Sequence, residues 1–183
     1  MPLFSSNEVV IPEIKSIDTS KMAMPQVRSL EKKLDLSSLQ MGDVMTGVSK
    51  GKISLPQLIE TLLKKVGPSE LLFSTWAISQ KPIENLQCWK SQGLLSSLTV
   101  VLDHRLKERK PAQFAYLSGI ADVLHSAKCH AKVAVLLNDA WRVVVIGSAN
   151  WTVNPRFEAF VIMADDKAAT YHTEWLRNPT ITK

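Results

Sequence analysis

From residue 70 onward the chain alternates short, almost continuously apolar segments with segments of helical period, an order that fits a helix-flanked sheet and little else. "ELLFSTWAIS" (70–79) is expected as a strand, "PIENLQCWKSQG" (82–93) as a short helix stopped by Gly93, and "SLTVVLD" (97–103) as a second strand. Strand, helix and strand in that order make a right-handed parallel unit. A helix over 111–125 follows, with Pro111 near its start and Phe114, Leu117, Ala121 and Leu124 on one face. "CHAKVAVLL" (129–137), "WRVVVIG" (141–147) and "FEAFVIMA" (157–164) read as three more strands, and "DKAATYHTEWLRN" (166–178) as a closing helix. The expected class is α/β with a mixed β-sheet flanked by helices.

Ahead of this block lies the clearest helix. Ser54 can cap it, with Pro56 in the first turn and Gln57 as the capping-box partner. Leu55, Leu58, Ile59, Leu62, Leu63 and Val66 form its apolar stripe, and Gly67-Pro68 ends it. Val27, Leu30 and Leu34 fall at helical spacing, whereas "MGDVMTGVSKGK" (41–52) carries three glycines and reads as a loop. Residues 1–50 are therefore expected as an N-terminal arm, partly disordered or partner-binding, and 51–183 as the folded domain.

With 45% hydrophobic and 21% charged residues, the 183-residue chain has the composition of a globular protein with one core. No apolar run approaches the roughly 20 residues of a membrane span, and the N-terminus lacks a basic segment followed by a long apolar one. A cytoplasmic location without a membrane span is the expectation. Cys88 and Cys129 form neither a disulfide framework nor a metal-ligand spacing, so both are expected reduced and structural, and neither a metal nor another cofactor is expected. A net charge of +5 favours an anionic partner.

Four polar residues interrupt the apolar segments near the C-terminal half: His130, Lys132, Ser148 and Asn150. If Asn138-Asp139 is a two-residue hairpin turn, His130 falls opposite Gly147, and side-chain alternation brings all four groups to one end of the hairpin. Gly147 would let a ligand approach the backbone. An ammonium, a hydroxyl, an amide and an imidazole so placed suit the binding and attack of a phosphate: three are donors to its oxygens, and histidine is a nucleophile or proton donor.

His130-Ala131-Lys132 followed by Gly147-Ser148-Ala149-Asn150 resembles the H-x-K and G-S-x-N halves of the phospholipase D superfamily motif, and the likeness extends over roughly residues 68–178. It implies a phospholipase D-like fold and metal-independent cleavage of a phosphodiester: one histidine attacks phosphorus, a second protonates the leaving oxygen, and water releases the phosphohistidine. Since the chain carries one copy of the motif, the resemblance implies a homodimer with both His130 side chains in one site. It also implies that Glu158 orients the histidine. The motif aspartate falls at Leu137, with Asp139 displaced from it; in the family that aspartate is structural.

"RLKERK" (105–110) follows a strand that is expected to be parallel, where α/β sheets bind ligands, so Arg105, Lys107, Arg109 and Lys110 are candidates to grip a polyanion. Trp151, next to Asn150, is the candidate to stack on a base. His104, His125 and His172 have no ligand spacing. The expected substrate is nucleic acid, DNA more than RNA. The alternatives are a protein that binds nucleic acid without cleaving it and a lipid phosphodiesterase.

Overall fold

The computed structural model describes residues 22–23, 36–49, 51, 53–153 and 155–179. In chain order the elements are β1 (Met22–Ala23), β2 (Val44–Val48), α1 (Leu55–Val66), β3 (Ser69–Thr75), α2 (Gln80–Ser91), β4 (Leu95–Asp103), α3 (Leu106–Arg109), α4 (Pro111–Ile120), β5 (Val123–Ala127), β6 (Val133–Leu137), β7 (Arg142–Gly147), β8 (Ala159–Ala164) and α5 (Asp166–Arg177). The strands form one eight-stranded sheet in the order β1-β2-β8-β7-β6-β3-β4-β5. β3, β4 and β5 are parallel, and β3, β6, β7, β8 and β2 pair antiparallel in turn, so the sheet is mixed as expected. Among the described residues, no helix is long and apolar enough to cross a membrane.

The continuous apolar runs follow from burial on both faces. On one face Leu71, Phe73, Val100 and Val145 pack with Leu58, Leu62, Leu86 and Leu117 of α1, α2 and α4. On the other, Leu72, Val101, Val135 and Val144 pack with Ala168, Ala169 and Leu176 of α5. α1 forms as its sequence dictates. Gln57 Oε1 accepts from the Ser54 backbone N–H at 2.9 Å and from the Ser54 hydroxyl at 3.0 Å, and the whole expected stripe is buried.

Several expectations are corrected. The glycine-bearing stretch 41–52 is not a loop throughout, because it contains β2, paired with β8. Gly47 serves that pairing: the ring of its partner Phe160 lies so close that a Cβ there would sit 2.7 Å from it. Residues 36–49, on the arm side of the expected boundary, thus supply a strand to the sheet and Leu36 and Leu39 to the core. Val27, Leu30 and Leu34 lie outside the described residues.

The helix expected over 111–125 stops at Ile120, and β5 begins at Val123. Asp122 makes the break. Its N–H donates to the Leu98 carbonyl at 2.9 Å, and its carboxylate accepts from the Leu98 N–H at 2.8 Å and from Lys90 Nζ at 2.6 Å. These bonds draw the chain into line beside β4.

The hairpin register also differs from expectation. Leu137 faces Arg142, so the connection is four residues long, and Gly147 donates its N–H to the carbonyl of Lys132 rather than facing His130. Asn138 decides this: its Oδ1 accepts from the backbone N–H groups of Ala140 and Trp141. A two-residue shift leaves unchanged which side chains of the two paired strands share a face.

Candidate active site

β6 runs antiparallel to β3, and β7 antiparallel to β6, so the start of β6 and the ends of β3, β4 and β7 meet at one end of the sheet. The chain before β6 does not continue the strand back to Cys129, as expected, but leaves the sheet at Val133. Ser74 holds it there. Its buried hydroxyl donates to the Ala131 carbonyl at 3.1 Å and accepts from the Val133 N–H at 3.3 Å.

The next residue on β3 performs the matching task for the turn after β7. The buried Thr75 hydroxyl oxygen lies 2.8 Å from the Ala77 carbonyl and 3.3 Å from Asn150 Oδ1, and it accepts from the Trp151 N–H at 3.2 Å. Two adjacent hydroxyls thus seat both halves. Neither carries a motif signal; only their place at the end of a strand between two polar clusters hints at the role.

His130 is exposed, and Lys132 is buried at 8% exposure. Lys132 Nζ donates to the His130 carbonyl at 2.6 Å and lies 3.1 Å from Nδ1 and 3.2 Å from Nε2 of the same residue. An ammonium has only donors, so any ring nitrogen it bonds must offer a lone pair. Burial holds the Lys132 ammonium below its ordinary pKa, against the smaller opposing pulls of Cys129 and Glu158. His130, Lys132, Gly147 and Ser148 line one open depression of about 370 Å³, together with Ala131, Val133 and Ile146.

Ser148 directs its hydroxyl to the Glu158 carboxylate and accepts from the Ala159 N–H at 3.1 Å. Among the described residues no hydrogen bond joins Glu158 to His130, in contrast to the orienting role expected for that carboxylate; its influence on the pair reaches Lys132 through charge. Asn150 stands on the adjoining turn, its Oδ1 3.3 Å from the Thr75 hydroxyl oxygen, and is not among the residues lining the depression.

Trp151 corrects the stacking expectation. It is completely buried, with its ring stacked on Phe73 at a centroid distance of 3.9 Å, and it has no face free for a base. The aromatic ring beside the site is Trp76, 5.9 Å from the His130 ring. Of the basic run, Arg105 and Arg109 lie over Trp76 at 5.9 and 5.6 Å, whereas Lys107 lies over Phe114 and Lys110 is exposed with no contact to the site. Asp103 fixes Arg105 through an Nε–Oδ1 hydrogen bond of 2.7 Å. Burial acts to raise the Asp103 carboxyl, but the hydrogen bonds and charge of Arg105 outweigh it and hold the group below its ordinary value. Among the described residues, no three His, Cys, Asp or Glu side chains gather as metal ligands.

No protein-family model matches the chain, and no curated protein does. Solved structures do. NucT from Helicobacter pylori superposes with a TM-score of 0.53 at 14% identity, over 73% of this chain and 94% of that one. Polyphosphate kinase from Porphyromonas gingivalis superposes with the same score and identity, over 76% of this chain but only 26% of its own. The fold is phospholipase D-like. Leu137 is the last residue of β6, and its neighbour Asn138 ties that strand end to the α1–β3 connection.

Proposed function

We propose that this chain is a metal-independent phosphodiesterase that cleaves nucleic acid, DNA in preference to RNA, at a site shared by two copies. The observation that carries the reading is the exposed His130 imidazole with the buried Lys132 ammonium 3.1 Å from its Nδ1, at the mouth of one open depression. In the first step a His130 nitrogen bonds to phosphorus as the bond to the leaving oxygen breaks, and the second copy's His130, protonated, gives that oxygen its proton. In the second step water attacks phosphorus, the P–N bond breaks, and the water's proton passes to the second histidine. Lys132 balances the charge on the phosphoryl oxygens, and Asn150, which adjoins the depression without lining it, offers its amide N–H donors to substrate at the edge.

A second copy is part of the reading because the two steps need two imidazoles and each chain offers one in the depression. Nucleic acid is favoured over lipid by the net charge of +5 and by the two arginines beside the site. The test is cleavage of labelled single- and double-stranded DNA and RNA in excess EDTA, wild type against His130→Ala. Turnover in chelator that vanishes in the variant is the expected result. Binding without turnover, unchanged in the variant, would instead mark a binding protein built on the same fold, a reading that Leu137 at the motif aspartate position favours.

A further inference from the structure

We propose that Trp76 is a stacking platform for an unpaired base, which makes single-stranded nucleic acid the polymer this site takes; this rests on the phosphodiesterase reading of His130 and Lys132. Trp76 is the first residue beyond β3, at the carboxyl end of the parallel pair β3 and β4, with Thr75 paired to Leu102. Its indole is half-buried, so it is anchored yet keeps accessible surface, and its centre is 5.9 Å from that of His130. A strand whose phosphate sits at His130 therefore brings a flanking base within reach of this ring.

The cations around the ring point the same way. Arg105 is committed to Asp103. Arg109 lies over the indole at 5.6 Å and, among the described residues, forms no ion pair, so its charge remains for a phosphate next to the one being cleaved. A partly exposed aromatic ring with guanidinium groups against it, one of them without an ion pair among the described residues, is the combination that grips single strands: an unpaired base stacks, and the cations track the backbone. A duplex keeps its base faces inside its own stack, and a phospholipid headgroup has no aromatic face to offer.

The test is fluorescence anisotropy in a His130→Ala background with three labelled probes: single-stranded oligothymidylate, the same backbone with abasic residues, and a blunt duplex. The single strand is expected to bind about 5- to 150-fold more tightly than its abasic counterpart, the range that a stacked base supplies. Trp76→Ala and the bulkier Trp76→Leu should remove that difference while leaving abasic binding unchanged, and Trp76→Phe should retain most of it. Equal weakening of both single strands would overturn the proposal, because Trp76 would then only hold the arginines. So would a single-strand preference that survives both non-aromatic variants, or a duplex that binds best. Failure of the underlying reading looks different: no probe binds at all, or Lys132→Ala leaves all three affinities unchanged.

Discussion

Lys132 Nζ stands 2.6 Å from the carbonyl oxygen of His130, two residues back in its own chain, so the buried ammonium braces the backbone that carries the exposed imidazole. The same group holds the site together and charges it.

A buried cation costs stability, and the sign is readable. The folded pKa of Lys132 is lowered, mainly by burial, so the penalty is fully present below that value and is relieved as pH rises through it toward the ordinary lysine value of about 10.4. Lys132→Met should abolish cleavage yet raise Tm at pH 7, by about 2–4 °C for each kcal/mol relieved. The gap between the two melting curves should narrow toward pH 10. A variant that melts below wild type at pH 7 would show that the brace outweighs the buried charge.

Thr75→Val keeps shape but removes the hydroxyl shared by Asn150, Ala77 and Trp151. The buried Trp151 N–H is left without its acceptor, a loss of about 1–3 kcal/mol by urea unfolding. Turnover should fall further than stability alone explains, because Asn150 loses its orientation. Thr75→Ser should restore both.

Asn138 acts at the other end of the hairpin from His130. Its Nδ2 donates to the carbonyls of Val66 at 2.9 Å and Pro68 at 3.2 Å and to Ser69 Oγ at 3.1 Å, while Oδ1 closes the turn. Asn138→Ala should destabilise by about 1–3 kcal/mol with kcat per folded molecule unchanged. Asn138→Asp keeps the turn acceptor but loses the donor, and should be no better than the alanine variant at neutral pH.

Asp122 contributes to stability against acid. The hydrogen bond from Lys90 holds its carboxyl below the ordinary value, with burial opposing and the Leu98 N–H adding to the effect. A depressed folded pKa contributes stability that is present above the unfolded value of about 3.9 and is lost as pH falls through the folded one. Asp122→Asn should therefore unfold at lower urea than wild type at pH 7, and the two curves should approach each other below pH 3.

Much of the fold was legible because burial on both sheet faces writes itself as apolar runs: "ELLFS", "LTVVL" and "VAVLL" all lie in strands. α1 was legible from Ser54, Gln57 and its stripe, since capping and period are local. β5 was not, because "ADVLHSA" becomes a strand only through the bonds Asp122 makes with Leu98 and Lys90, residues more than twenty positions away. β2 was hidden for a related reason. Gly47 reads as a loop residue until the ring of Phe160 is laid across it.

At the candidate site, the sequence by itself brought His130 and Lys132 near Ser148, because their segments flank strands that lie side by side, while Asn150 stays on the adjoining turn. It could not determine which neighbours those groups would find. That Trp151 is buried against Phe73 while Trp76 stays half-buried beside His130 was decided by the tertiary structure alone, since indole burial depends on surfaces contributed from distant parts of the chain. The same holds for Ser74 and Thr75, which become site residues only when β3 lies beside β6 and the turn after β7 folds back onto its end.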